Sequence, residues 1–266
     1  MPRALSTIRA FLLDMDGTIY LGDRLLDGAA EFLAALKRTG RPYLFFTNNS
    51  SKDAGEYAEK LTRLGVETTP DQVMTSGQAT VDYLRTKLTV KRALVLGTPS
   101  FEGEVTSAGI ELVDGGKDTS PPEAVVLAFD MTLTYEKIRR ACDWIQRGVP
   151  FVASHPDLVC PTPDGPIPDC GAMIAMITAA TGVEPTVIGK PYPAMAEAAL
   201  RKLGVQADET AIVGDRLYTD IAMGHAAGLH TILVLSGEAT VQDFTASQQK
   251  PERLAASVAD LTPELD

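Results

Sequence analysis

Two carboxylates two positions apart are the first residues that could do chemistry: Asp14 and Asp16, in Asp14-Met15-Asp16-Gly17-Thr18. A carboxylate that closes an apolar run, with glycine three positions on, sits where backbone amides can face an anion. Such a side chain can attack phosphorus and form an acyl phosphate. A second carboxylate two residues later can protonate the leaving oxygen and then activate water. A turn or helix cap also favours Asp and Gly, so the pentapeptide alone has two explanations.

Three further groups narrow the choice. Thr47-Asn48-Asn49-Ser50 brings a hydroxyl and adjacent amides that can hydrogen-bond phosphate oxygens, while Ser50 or Ser51 could equally cap the helix that follows. In Gly189-Lys190-Pro191, Lys190 can neutralise charge that accumulates on a nucleophile and a phosphate, although a surface lysine in a Pro-bounded loop would look the same. In Gly214-Asp215-Arg216-Leu217-Tyr218-Thr219-Asp220, Asp215 can supply the carboxylate oxygen that magnesium prefers. Asp220, about one helical turn further, suits an indirect role such as orienting Lys190. Each group has a capping explanation by itself. Four of them in the order D-x-D, T, K and D-x4-D are much harder to explain that way. Three crowded carboxylates also need positive charge, which Mg²⁺ and Lys190 would both supply.

The surrounding pattern shows what must position these groups. Apolar runs at Arg9–Leu13, Pro42–Phe46, Thr186–Ile188, Thr210–Val213 and His230–Leu235 read as strands. Gly28–Thr39 reads as a helix, because Ala29, Phe32, Leu33 and Leu36 recur at helical spacing and Gly40 closes it. Ser51–Leu64, Ala194–Leu203 and a stretch near Thr219–Ala227 read as further helices, each followed by glycine. This alternation predicts an α/β fold, a parallel sheet with helices on both faces. Ligands of open parallel sheets bind outside the carboxyl ends of the strands, so the four groups are expected along one sheet edge.

The middle of the chain alternates too. Ala93–Leu96, Ala124–Leu127 and Pro150–Ala153 read as strands; Gln78–Thr86, Tyr135–Gln146 and Gly171–Ala180 read as helices. That segment could extend the same sheet or form a domain of its own. Pro and Gly concentrate at Gly115–Pro122 and Pro156–Pro168, which marks long loops. Cys142 and Trp144 lie on a predicted helix and read as core packing.

Bulk properties exclude several classes. A chain of 266 residues with 45% hydrophobic and 22% charged residues is ordinary for a globular protein. A net charge of -11, with no clustered Lys and Arg, argues against nucleic acid as a partner. No stretch approaches the roughly 20 apolar residues of a membrane span, and Ala10-Phe11-Leu12-Leu13 is too short for a signal peptide. Three cysteines, Cys142, Cys160 and Cys170, match no disulfide or zinc framework. A reducing compartment, the cytoplasm, is the expectation.

The four motifs in this order resemble those of the haloacid dehalogenase superfamily, and within it the NagD-like, p-nitrophenylphosphatase-like subfamily with an inserted type IIA α/β cap. The resemblance covers nearly the whole chain. It implies a Rossmann-like, HAD-like core at residues 1–77 and 185–266 with the cap at 78–184. It implies Asp14 as nucleophile and Mg²⁺ ligand, and Asp16 as acid/base that also gives Mg²⁺ its main-chain carbonyl. Thr47, Asn48 and Lys190 would bind the phosphoryl group; Asp215 would bind Mg²⁺, with Asp220 behind it. Members that act on carbon–halogen bonds lack the second aspartate, so Asp16 implies phosphoryl transfer, with water as the default acceptor. Ser154-His155-Pro156-Asp157, followed by Pro161-Thr162-Pro163-Asp164-Gly165 and Gly171-Ala172, resembles the cap loop that commonly reads Thr-Asn-Pro-Asp. His155 and Asp157 are therefore candidates for substrate specificity, and a backbone-bonded loop histidine is an equal reading of His155.

The expected function is hydrolysis of a small phosphorylated metabolite. A phosphotransferase using the same aspartyl-phosphate, or a phosphometabolite-binding protein without turnover, are the alternatives. The natural substrate is not readable from the sequence, and a homodimer through the cap face is left open.

Overall fold

Ala-Phe-Leu-Leu-Asp at Ala10–Asp14 is buried at every position, as a strand covered on both sheet faces must be, and forms β1. The computed structural model describes residues 5–115, 120–162 and 164–265. After β1 come α1 (Ala29–Arg38), β2 (Tyr43–Thr47), α2 (Ala54–Arg63), β3 (Val73–Thr75), α3 (Ser76–Thr86), β4 (Arg92–Leu96), α4 (Pro99–Ser107), β5 (Glu111–Leu112) and β6 (Ala124–Leu127). Then follow α5 (Tyr135–Gln146), β7 (Phe151–Ala153), α6 (Cys170–Thr181), β8 (Thr186–Val187), α7 (Pro193–Leu203), β9 (Thr210–Gly214), α8 (Ala222–Ala227), β10 (His230–Val234), α9 (Val241–Ala246) and β11 (Arg253–Ala255). Two antiparallel pairs of two-residue strands sit in loops, Tyr20–Leu21 with Arg24–Leu25 and Val159–Cys160 with Ile167–Pro168. Among the described residues no helix is long and apolar enough to cross a membrane.

The chain divides into two compact units. The first comprises Met1–Thr47, Ala54–Met74 and Lys190–Asp266; the second comprises Asn48–Asp53 and Thr75–Gly189. In the first unit the sheet runs β11-β10-β9-β1-β2-β3. β1 pairs in parallel with β9 through Leu13↔Val213 and with β2 through Asp14↔Phe46. β9–β10 and β10–β11 are parallel as well. The apolar stripe of α1 packs on this sheet: Ala29, Phe32, Leu33, Ala35 and Leu36 are buried, and Phe32 meets Phe11 edge-on at 6.0 Å between ring centroids.

The second unit has a five-stranded sheet of its own, in the order β8-β7-β6-β4-β5, with every adjacent pair parallel. Its core gathers Leu94, Leu96, Val125, Leu127, Phe151, Met173, Ile174 and Ile177, with Cys142 and Trp144 packed against it. The middle of the chain therefore does not extend the first sheet. Of the predicted loops, residues 116–119 and Pro163 lie outside the described residues.

Three expectations about local structure are corrected. The strand read at Thr186–Ile188 does not join the first sheet; Thr186 and Val187 pair with Val152 and Ala153 of the second. Two residues carry no periodicity that could assign a sheet, so only pairing decides it. The helix read from Ser51 starts at Ala54. Asn49 Oδ1 accepts from both Ser51 N–H, at 2.9 Å, and Ser51 Oγ–H, at 2.7 Å, which closes a local turn ahead of the helix. The helix read near Thr219–Ala227 opens with a single wide π-type turn, Leu217–Ile221, before α8. Such turns interrupt α-helices where a side chain must be re-aimed, and here Asp220 is the side chain turned wholly inward.

Candidate active site

Neighbouring strands β9, β1 and β2 end beside one another, and their carboxyl ends carry the acidic and hydroxyl groups singled out above. Asp14 is the last residue of β1, Thr47 the last of β2, and Asp215 follows the last of β9. Lys190 begins the return of the chain into this unit, three residues after β8. Its side chain is buried, with Nζ 2.5 Å from Asp14 Oδ1 and 2.7 Å from Asp220 Oδ1. Asp220 Oδ2 accepts from Arg216 N–H at 3.2 Å and from the Thr219 hydroxyl at 3.4 Å. The wide turn thus fixes Asp220, and Asp220 in turn fixes Lys190.

Carboxylate oxygens of Asp14, Asp215 and Asp220 lie within 4.8 Å of one another. Burial pushes the Asp14 carboxyl up from the ordinary 3.8 to about 8; Lys190 opposes the rise, and Asp220 and Asp215 add to it. Burial also raises Asp215, to about 6, with Asp220 adding and the Glu238 N–H opposing. Burial disfavours the charge on Lys190, but Asp14 and Asp220 outweigh it and hold the ammonium above its ordinary range. One lysine among three clustered acids leaves an excess of negative charge, which is the condition for cation binding.

The donor set fits a divalent cation on a second count. Asp215 Oδ2 accepts from Glu238 N–H at 2.7 Å, but Asp215 Oδ1 is buried and has no hydrogen-bond partner among the described residues. An orphaned buried oxygen is costly unless something occupies it. Two glycines keep space around this carboxylate: a Cβ at Gly17 or at Gly237 would collide with Asp215 Oδ2. Gly17 also has φ +84, which suits the tight turn that brings its N–H to the Tyr20 carbonyl at 2.7 Å. Asp16 lies in the same turn, exposed, and bridges to Tyr20.

Sequence reasoning passed over the support given to Asp215 by Ser236, Gly237 and Glu238. Ser236 Oγ donates to the Gly17 carbonyl at 2.7 Å and ties the β10 end to the first turn. The available signal was Ser-Gly directly after an apolar run, the same punctuation that marked the other strand ends.

Asn48, His155 and Asp157 belong to the second unit. Asn48 is buried, and its Nδ2 donates to Asp157 at 3.1 Å (Oδ2) and 3.3 Å (Oδ1). His155 is fully buried with both ring nitrogens engaged by side chains, Ser154 Oγ at Nδ1 and Asp169 Oδ1 at Nε2, each at 2.9 Å. Its ring nitrogens are thus bonded to side chains and not to backbone.

Comparison with known proteins agrees with this architecture. A family model described as haloacid dehalogenase-like hydrolase matches residues 11–111, and one described as HAD-hydrolase-like matches residues 187–261. The chain is 34% identical over 259 residues to the 5'-nucleotidase YutF of Bacillus subtilis, covering 97% of this chain and 99% of the relative. The crystal structure of a 4-nitrophenylphosphatase from Thermotoga maritima superposes with a TM-score of 0.92 at 41% identity, over 99% of this chain and 100% of that one. NagD from E. coli K-12 superposes with a TM-score of 0.88 at 33% identity, over 95% and 98%. The chain belongs to the haloacid dehalogenase-like hydrolases, in their NagD-like, p-nitrophenylphosphatase-like branch.

Proposed function

We propose that this chain is a Mg²⁺-dependent phosphatase that hydrolyses small phosphomonoesters through an aspartyl-phosphate on Asp14. The observation that carries the reading is the buried Lys190–Asp14 contact beside Asp215, whose buried Oδ1 has no hydrogen-bond partner among the described residues. Relatives named for nucleotide and nitrophenyl phosphate hydrolysis support the substrate class.

Asp14 attacks the phosphorus of the ester, and the P–O bond to the leaving group breaks as the Asp14–phosphorus bond forms. Asp16 gives its proton to the departing oxygen. It then takes a proton from the water that attacks the acyl phosphate, which releases phosphate and restores Asp14. Lys190 stabilises charge on the phosphoryl oxygens while Asp220 keeps its ammonium in place. Thr47 and Asn48 bind the same oxygens. Asp14 and Asp215 carboxylates and the Asp16 carbonyl would hold Mg²⁺, which supplies positive charge to the phosphoryl group and keeps Asp14 ionised despite its burial. The middle unit would serve as the cap, the part of the fold that chooses the substrate. Cys142, Cys160 and Cys170 form no disulfide among the described residues, in keeping with a cytoplasmic setting.

The test is phosphate release from an aryl phosphate by purified protein with Mg²⁺. Turnover should stop with EDTA, return with Mg²⁺, and be abolished in Asp14→Asn. A folded Asp14→Asn protein that keeps most of the activity would rule the mechanism out.

A further inference from the structure

His155 contributes nothing to the chemistry proposed above, yet it sits within a connected, buried polar cluster of the second unit. Its Nε2 is 2.9 Å from Asp169 Oδ1, which also accepts the Cys170 N–H at 2.6 Å and so caps α6. A carboxylate only accepts, which places a ring proton on Nε2; in the neutral ring Nδ1 is then an acceptor. The Ser154 hydroxyl then donates to Nδ1 at 2.9 Å, the Ser50 hydroxyl donates to Ser154 Oγ at 2.9 Å, and Phe129 N–H donates to Ser50 Oγ at 3.0 Å. One direction of donation satisfies the whole chain. All of these side chains are buried.

This chain closes around Asn48. Ser76 Oγ, 3.4 Å from His155 Nδ1, donates a short hydrogen bond to the Asn48 carbonyl. Two residues beyond His155, Asp157 receives the Asn48 Nδ2 donor, and the Asp157 carbonyl is held by Gly171 N–H at 2.8 Å. Gly189 completes the fit, since a Cβ there would lie 2.7 Å from Asn48 Oδ1 and 2.9 Å from His155 Cβ. The Asn48 carbonyl is thus held from α3, by Ser76 beside the His155 ring, and its side chain from the His155 loop, by Asp157. Correspondingly, residues Asn48–Asp53 group with the second unit, although they directly follow β2 of the first.

We infer that His155 is a positioning residue that, with Asp169 and Asp157, fixes the side chain of Asn48 for the phosphate group of the substrate. The inference rests on the reading of Asn48 as phosphate-binding. A fully satisfied buried network admits one geometry, and a site held by it loses affinity when a member is removed.

The test uses the Mg²⁺-loaded enzyme, an aryl phosphate, and inorganic phosphate as competitive inhibitor. In His155→Ala and Asp169→Ala, KM and the inhibition constant of phosphate should rise together by about tenfold, with kcat changed by less than about threefold. Asp169→Asn retains an amide oxygen that can accept both existing hydrogen bonds, and should stay within about twofold of the parent. Asp157→Ala, at a half-buried position, removes the acceptor of the Asn48 Nδ2 donor and should raise the phosphate constant as well. Unchanged phosphate constants in folded His155→Ala, or in Asp157→Ala should His155→Ala not fold, overturn the inference if Asn48→Ala still raises them. An equal loss in Asp169→Asn and Asp169→Ala overturns it too. An unchanged phosphate constant in Asn48→Ala removes the reading of Asn48 itself, and the inference with it.

Discussion

Lys190 Nζ lies 2.5 Å from Asp14 Oδ1, with both side chains almost entirely withdrawn from solvent. The same ammonium reaches Asp220 at 2.7 Å. A single cation therefore balances the proposed nucleophile and a second carboxylate that a wide helical turn holds in place.

Removing that cation should hurt twice. Lys190→Met is expected to lower kcat/KM for an aryl phosphate by about 10²- to 10³-fold, the size of effect seen when a stabiliser of transition-state charge is lost. It should also cost about 3 kcal/mol of stability, because breaking a buried ion pair strands its partners. Asp220→Asn keeps an acceptor for Nζ and should lose only about tenfold in activity. Steady-state kinetics and urea unfolding read the two effects separately. Near-normal turnover in Lys190→Met would show that the contact is structural.

Asp16 is exposed, in contrast to the buried Asp14. Under the proposed roles, Asp16→Asn leaves the nucleophile intact but removes the base that activates water. The second half-reaction should slow more than the first with a good leaving group such as nitrophenolate, since that group departs without a proton. Phosphorylated enzyme should then accumulate, visible by intact mass after acid quenching as a chain carrying one extra phosphoryl group. Parent-like turnover with no phosphoenzyme would remove Asp16 from the mechanism.

Much of this site was legible because its residues break apolar runs. Asp14, Thr47 and Asp215 each interrupt a buried strand at its carboxyl end, where an uncompensated polar residue is conspicuous. The helix α1 was legible because five of its ten residues form one buried stripe. Helix α4 was not: of Pro99–Ser107 only Phe101 and Val105 are buried, too few for a period to show. The sheet to which β8 belongs was also hidden, since two residues carry no pattern. The cluster around His155 was legible only in part: Ser154, His155, Asp157 and Gly171 resemble one cap loop, but nothing in the sequence joins Asn48, Ser50, Ser76 and Phe129 to them. Its members come from positions 48 to 189, and only folding brings them together.

Asp14 and Asp215 make stability of the metal-free protein depend on pH. Asp14 and Asp215 have folded-state values raised from 3.8 to about 8 and about 6. The folded protein therefore holds protons that the unfolded chain releases. The associated stability is complete below about pH 4 and is lost as pH rises through about 6 and then about 8. Cations compete with those protons for the same oxygens. In EDTA, Tm should fall between about pH 5 and about pH 8, and the fall should be shallower in Asp215→Asn. The rise in Tm on adding Mg²⁺ should grow over the same interval. A Mg²⁺ effect that is flat with pH would dissociate metal binding from these carboxylates.

Gly237 offers the most local test of the cation site. It coordinates nothing in the proposed scheme, and it lies on a different loop from Asp14, Asp16 and Asp215. Its only evident duty is to leave room: a Cβ would collide with Asp215 Oδ2 and approach Gly17 Cα to 2.7 Å. Both neighbours are fixed, Asp215 by the Glu238 N–H and Gly17 through its carbonyl by Ser236 Oγ. The inserted methyl must therefore push the carboxylate off its position. Gly237→Ala should raise the Mg²⁺ concentration for half-maximal activity by about tenfold or more, because ligands held slightly out of place bind their metal poorly. At saturating Mg²⁺ much of kcat should return, since Asp14, Asp16 and Lys190 are untouched by the change. Titrating activity with Mg²⁺ separates the two terms. An unaltered half-maximal Mg²⁺ concentration in a folded Gly237→Ala protein would mean that Asp215 is not a metal ligand.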